Sequence, residues 1–307
     1  MRIECIIPTY KPDRDLFKLL DGLLDQSMKP DRIILINTEE RFFEDLLQGS
    51  KMPEKYEHVQ VFHISKDEFD HGRTRNFGVE KSTGDMFIMM TQDAFPKDEH
   101  LIENLVRPLE DSSVAVSYAR QLPKKDCYPE ERLTRDFNYP PVSRVKSGED
   151  LSDLGIKTFF CSNVCAAYNR ETFEKLGGFV NRAIFNEDML YAAKAVKAGY
   201  RIAYAAEAEV FHSHNYTNSQ QFHRNFDNGV SQADNEWAFK GISSESEGMK
   251  MVKTTVRYLM DNKKAYRIPV FVIQCFCKYA GYLLGKNYKR LPQKLVLKLT
   301  TNKRYFE

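Results

Sequence analysis

The chain has 307 residues, of which 42% are hydrophobic and 29% charged. Those values are ordinary for a soluble globular protein, exclude a fibrous or wholly disordered chain, and allow one large domain or two modest ones. The net charge of +2 hides an asymmetry: Gly248 to Glu307 carry 14 Lys plus Arg against 2 Asp plus Glu, and the other 247 residues carry 31 against 41. An acidic body with a basic tail suits a tail that meets something anionic, lipid headgroups or nucleic acid. The six cysteines show no CxxC spacing, and Cys5, Cys165 and Cys275 sit in apolar runs as free thiols do. A reducing cytoplasm is the expected compartment, and Met1-Arg-Ile-Glu leads into a strand pattern with no signal peptide.

Ile3 to Ile7 reads as a first strand ending at Pro8-Thr9-Tyr10, followed by a helix within Asp13 to Gln26 with leucines at 16, 19, 20, 23 and 24. Arg32 to Ile36 is a second strand, then Asn37-Thr-Glu39 and a helix through Leu47. Val59 to Ile64 is a third. Asp70 to Gly78 is a loop entering a short helix, and the uncharged run Met86 to Met90 is a fourth strand running into Thr91-Gln92-Asp93. Strands alternating with helices predict a mostly parallel α/β sheet with right-handed crossovers, and ligands of such sheets sit beyond the carboxyl strand ends. A helix at about 98 to 110 and a strand at Val114 to Tyr118 come next. Residues 121–157 read as a long irregular segment, functional or mobile. Val164 to Tyr168 is strand-like, Arg170 to Leu176 helical, and Asn186 reads as the cap of a helix ending at Gly199. Arg201 to Ala205 and Ala208 to Phe211 read as two strands. From Thr217 the pattern is helical, with further helices at about Ser246 to Asp261 and Ile268 to Leu284.

Pro8-Thr9-Tyr10, Asn37-Thr-Glu39, Thr91-Gln92-Asp93 and His212-Ser-His214 fall at strand ends, and Asp70 to Asn76 and Asn186-Glu187-Asp188 at helix entries. On these residues, with Ile6-Ile-Pro-Thr-Tyr10, Phe69-Asp-His-Gly-Arg-Thr-Arg-Asn76, Ser162-Asn163 and Phe185-Asn-Glu-Asp188, the chain resembles the inverting glycosyltransferases of family 2, which have the GT-A (Rossmann-like) fold. More narrowly, it resembles bacterial rhamnosyltransferases of surface polysaccharide synthesis. The resemblance spans roughly residues 1–215.

It implies a nucleotide-diphosphate sugar donor, dTDP- or UDP-linked, and a divalent ion, Mg²⁺ or Mn²⁺, to neutralise the leaving diphosphate. Asp93 matches the last position of the family's Asp-x-Asp motif, and Thr91 replaces the first carboxylate. His212 and His214, on one side of an extended segment, are candidates to complete the ion's shell. Asp188 matches the family's base and is expected to stay ionised near the helix start, with Glu187 orienting the acceptor hydroxyl. Donor recognition is expected from Pro8, Thr9, Tyr10, Asn37, Glu39, His71, Arg73, Arg75, Gln92, Asp93 and Asn163. Arg73 and Arg75 are expected at the diphosphate and Asn163 at the donor sugar. The resemblance implies a glycan or lipid-linked glycan acceptor. Transfer of galactose, glucose or another hexose, or a non-catalytic nucleotide- or glycan-binding role, stand as alternatives.

The basic helical tail, 216–307, forms the second region of the chain. Ile268 to Leu284 has 17 residues, short for a membrane span, and basic flanks. It fits either an anionic membrane surface, placing the enzyme peripherally on the inner face, or packing on the catalytic domain or in a homodimer. Its aromatics lie in an apolar run rather than among basic residues, which argues against nucleic acid.

Overall fold

Strand β1 (Ile3–Tyr10) is central in its sheet, so both its faces are buried and its sequence is apolar without alternation. It pairs in parallel with β2 (Arg32–Thr38), to which β3 (Val59–Ile64) adds at the edge, and on its other side with β4 (Met86–Met90). The crossovers run through helices α1 (Asp15–Leu24), α2 (Glu40–Leu47) and α3 (His71–Lys81). The computed structural model of the chain describes residues 1–242 and 245–307.

Beyond β4 the sheet is mixed. The remaining strands are β5 (Phe95–Pro96), β6 (Val114–Leu122), β7 (Arg144–Lys146), β8 (Cys165–Asn169) and β9 (Arg201–Phe211), in the order β3-β2-β1-β4-β8-β6-β9-β5 with β7 on β9. β8 is antiparallel to both β4 and β6, while β6 and β9 run parallel. Since β8 runs backward, Ser162 and Asn163, which precede it, arrive at the edge where β4 ends. His212 to His214, which follow β9, reach the same edge.

Helices α4 (Leu101–Val106), α5 (Pro129–Asn138), α6 (Leu151–Leu154), α7 (Arg170–Lys175) and α8 (Glu187–Lys197) lie among these strands. Two apolar layers sandwich the sheet. α1, α2 and α4 cover the face bearing Ile3, Cys5, Ile7 and Ile88, and α3, α7 and α8 cover the face bearing Ile6, Ile34, Phe87 and Tyr168.

Two expectations change. Residues 121–157 are not irregular, since they hold α5, β7 and α6. The two short strands at 201–211 are one, β9, with a register jump in which Ala119 pairs Ala205 but Arg120 pairs Glu209. The bulged residues interrupt the alternation that a strand normally shows.

Five α-helices follow among the described residues: α9 (Asn218–Asp234), α10 (Glu236–Phe239), α11 (Glu245–Asp261), α12 (Ile268–Lys286) and α13 (Gln293–Leu299). α12 lies against α9 at backbone distance. A Cβ on Gly281 would come 2.2 Å from the Phe222 carbonyl oxygen, and one on Gly285 1.9 Å from that of Phe226. Buried Asp227 in α9 accepts from the Thr300 hydroxyl (2.7 Å) and the Thr301 amide (2.9 Å), which lashes the C-terminal end to the same helix. The tail segment is longer than the sequence suggests. Ala265–Lys286 is long and apolar enough to cross a membrane by length and composition, alone among the described residues, while its glycine face packs on α9.

Candidate active site

At the shared strand edge lies a cavity of about 480 Å³. Thr91 to Asp93 turn away from the end of β4, and His212 to His214 leave the end of β9 extended, so both imidazoles face the Asp93 carboxylate. Asp93 Oδ2 lies 3.1 Å from His214 Nε2 and 3.5 Å from His212 Nε2, and the two Nε2 atoms are 3.1 Å apart.

Behind them stands Gln121 of β6. Its Nε2 donates to Tyr139 Oη (2.6 Å) and Ser162 Oγ (2.9 Å), so its Oε1 is the acceptor for the Arg135 guanidinium and for His212 Nδ1 (2.9 Å). The His212 proton therefore sits on Nδ1 and a lone pair on Nε2 faces Asp93. Burial, outweighing the pull of Asp93, keeps His212 below its ordinary pKa and so neutral.

The donor set fits a divalent cation. Cis ligands about 2.1 Å from one ion lie about 3 Å apart, and a carboxylate with imidazole suits Mn²⁺ and its neighbours. The buried Thr91 hydroxyl, at the same cavity wall, has no partner among the described residues.

Across the cavity, Asp188 stands in the first turn of α8. Its Oδ1 accepts from the Met189 amide (2.7 Å) and its Oδ2 from the Asn163 amide (2.9 Å). Those donors do not keep it ionised in the expected way: burial, then the charge of Glu187, push it up to about 7. Glu187 is the ionised member of the pair. Burial opposes that, but Arg75, His71 and Asn163 together hold it below the usual range. Its Oε1 meets Arg75 Nε (3.2 Å) and Asn163 Nδ2 (3.0 Å), and Asn163 Oδ1 accepts from Tyr168 Oη (2.6 Å). Glu187 Oε1 and both side-chain amide atoms of Asn163 are thus engaged within the protein, while both residues line the cavity. Asn186 does not cap α8 either. It sits in the left-handed region at φ +62° and donates through Nδ2 to Asn228 Oδ1 (2.6 Å).

The other expected donor-binding residues divide. His71 and Arg75 line the cavity, and burial lowers His71 below its ordinary pKa against the pull of Glu187. Arg73 turns away and donates to the Glu68 carbonyl, because two residues along a helix rotate a side chain by about 200°. Pro8, Thr9, Tyr10, Asn37, Glu39 and Gln92 lie at the ends of β1, β2 and β4 and are not among the residues lining the cavity. Thr9 Oγ1 is buried against Asn37 Oδ1 (3.1 Å), and Gln92 pairs through both amide atoms with the Tyr10 backbone (3.0 Å each). Glu39 accepts from the Lys66 amide (2.7 Å) and lies 3.3 Å from Arg41, so its carboxylate is already occupied. Tyr10 alone of this group presents an exposed ring, set edge-on to Phe42.

Several lining residues were not singled out from the sequence. Glu131, Thr134, Arg135 and Asn138 form one face of α5, and Gln221 and Arg224 of α9 and Lys278 of α12 close the far side. Arg224 lies between two rings, 5.0 Å from the centre of Phe185 and 4.6 Å from that of Tyr216, and Tyr216 stacks on His214 at 5.0 Å. A guanidinium held this way, with no ion-pair partner among the described residues, is ready for an anionic ligand. Its signal was hidden because Phe222, Phe226 and Val230 set the visible period of α9.

Comparison with known proteins follows the same outline. A family model described as Glycosyl transferase family 2 matches residues 4–177. The O-antigen chain rhamnosyltransferase RfbN of Salmonella typhimurium is 40% identical over 299 residues, covering 95% of this chain and 92% of that protein. The O-antigen chain rhamnosyltransferase WbaN of Salmonella anatum is 42% identical over 231 residues, covering 75% and 73%. Among solved structures, the mannosyltransferase PcManGT from Pyrobaculum calidifontis, in complex with GDP-Man and Mn²⁺, aligns with TM-score 0.57 at 14% identity over 99% of this chain and 84% of that one. S. aureus TarS 1-349, in complex with UDP-GlcNAc, aligns with TM-score 0.53 at 13% identity over 98% and 84%. The last two establish the GT-A fold.

Proposed function

The chain belongs to glycosyl transferase family 2, and from that premise we propose that it transfers rhamnose, with inversion, from a dTDP- or UDP-sugar to a growing cell-surface glycan on the cytoplasmic face of the membrane. The carrying observation is that Asp188 and the Asp93–His212–His214 cluster face one cavity. Rhamnose is favoured by the two Salmonella relatives, both rhamnosyltransferases.

Asp93, His212 and His214 would hold Mg²⁺ or Mn²⁺, which supplies positive charge for the departing diphosphate. Arg224, held on Tyr216 beside His214, adds charge at the same end, and Tyr10 offers a face for the nucleotide base. Asp188, ionised, takes the proton of the acceptor hydroxyl as that oxygen attacks the anomeric carbon. Its pKa near 7 lets it both exist as a base and accept that proton. Glu187 acts through Arg75 and Asn163 as a positioning residue. In this reading residues 1–215 are the catalytic domain and 216–307 close its acceptor side.

The test is nucleoside diphosphate release from a panel of dTDP-rhamnose, UDP-galactose and UDP-glucose with Mn²⁺. Selective release from dTDP-rhamnose, with or without an added glycan, supports the reading. Equal or greater release from a UDP-hexose would replace rhamnose by that sugar.

A further inference from the structure

Lys278, in the wall of the catalytic cavity, also lines a second hollow. It is a groove of about 630 Å³ between α9, α11 and α12, walled mainly by Met251, Val252, Val272, Phe276 and Tyr279. Its size is that of a pocket enclosing one small ligand. Val272, Phe276 and Tyr279 recur at helical spacing on α12 and are 51%, 69% and 52% exposed, an unusual row for a helix whose opposite face is buried on α9. Methionines give it an adaptable wall.

Three features say what would lie there. Lys278 lines both hollows and forms no ion pair among the described residues. Asn228 belongs to the groove's inner end, and its Oδ1 is hydrogen-bonded to Asn186, two residues before Asp188. The surrounding sequence, Gly248 to Glu307, carries 14 basic residues against 2 acidic. A ligand spanning the junction therefore meets an apolar channel, then a cation, then the proposed base.

We propose that this groove binds the single apolar chain of an amphiphilic acceptor, with the acceptor's phosphate at Lys278 and its terminal sugar at Asp188. The proposal rests on the glycosyltransferase reading and adds the site and chemistry of the acceptor's tail. A concave channel between helices suits one flexible chain better than a flat bilayer surface. Lys278, shared with the catalytic cavity, and the Asn228–Asn186 hydrogen bond set it beside the reacting groups, which distinguishes it from a face covered by a second copy.

Decyl phosphate, kept below its micelle-forming concentration, is the probe, with inorganic phosphate and 1-decanol as its two halves. Binding to the full chain is read by calorimetry. The wild type is expected to bind decyl phosphate at least about tenfold more tightly than either half. Val272→Glu, on an exposed position, is expected to weaken decyl phosphate about tenfold or more, and Lys278→Ala to weaken it while sparing 1-decanol. Met251→Gln serves as a second groove variant should Val272→Glu melt early. Mn²⁺-dependent binding of dTDP-rhamnose, measured on the same groove variants, should be unchanged; its absence in the wild type would count against the enzymatic reading, whereas decyl phosphate binding tests the groove. Decyl phosphate binding no tighter than inorganic phosphate, or unaffected by both groove variants, overturns the proposal. So does loss of vesicle binding alone in Val272→Glu, which would make the face a membrane contact. Dissociation of a dimer by that variant, with decyl phosphate binding intact, would make it an interface between copies and overturn it too.

Discussion

Replacing Asp188 by asparagine should abolish transfer and at the same time stabilise the fold, by an amount that grows with pH. The carboxyl titrates at about 7 against an ordinary 3.8, because it is buried beside ionised Glu187. At about 1.36 kcal/mol per pH unit, holding it ionised costs roughly 4 kcal/mol. Between about pH 4 and 7 the folded chain keeps a proton that the unfolded chain has released. Its contribution to stability is therefore full below pH 4, falls as pH rises, and is gone above 7. The asparagine carries no charge to bury, but its single acceptor oxygen cannot serve both the Asn163 and Met189 amides, at a cost of about 1–2 kcal/mol. The net expectation is a gain of about 2–3 kcal/mol at pH 8, shrinking to about zero at pH 5. Urea unfolding of both proteins at pH 5, 6, 7 and 8 measures it. Taking the difference removes other titrations, such as buried Lys146, which burial lowers to about 7. A difference that stays constant over that range, or a loss at pH 8, would refute the placement of Asp188 as a buried, charge-crowded carboxyl.

Three further substitutions test named contacts. Gln121→Leu leaves His212 free to rotate and to move its proton, and should weaken Mn²⁺ binding about 10- to 100-fold by calorimetry, while lowering the melting temperature because Tyr139, Ser162 and Arg135 lose a buried partner. Glu187→Gln removes the charge facing buried Arg75 and should cost about 3 kcal/mol in urea unfolding. The same change removes a negative neighbour of Asp188, so the acidic limb of the pH–rate profile should move to lower pH. Gly285→Ala places a methyl 1.9 Å from the Phe226 carbonyl oxygen and should cost roughly 2 kcal/mol or more, with faster proteolysis of the C-terminal helices.

The first four strands and their helices were legible because each carries an unbroken apolar run or a clean helical stripe bounded by turn residues. The cluster at Asp93, His212 and His214 was legible too, since two histidines spaced by one residue on an extended segment share a face. Other features left no such trace. The inner face of α5, at Glu131, Thr134, Arg135 and Asn138, meets a polar cavity rather than a core, so it has no apolar period to find. β9 hid its continuity behind a bulge. Gln121 lies mid-sequence between a strand and a proline-bearing stretch, and nothing local marks the amide that sets a histidine tautomer across 91 positions. Arg73 and Arg75 looked equivalent in the motif, and only the helix turn between them separates one from the cavity. Asp188 was assigned by its match to the family's base, but its charge state depends on Glu187 and on burial, which are tertiary facts.

The central claim is that a cation at Asp93 and a base at Asp188 serve separate halves of one transfer. Calorimetry of donor binding with and without Mn²⁺, paired with nucleoside diphosphate release, on wild type, Asp93→Ala and Asp188→Asn tests it directly. The expected result is Mn²⁺-dependent donor binding in wild type and Asp188→Asn but not in Asp93→Ala, with diphosphate release by wild type alone. Donor binding indifferent to the metal, or release by Asp188→Asn at the wild-type rate, would contradict it.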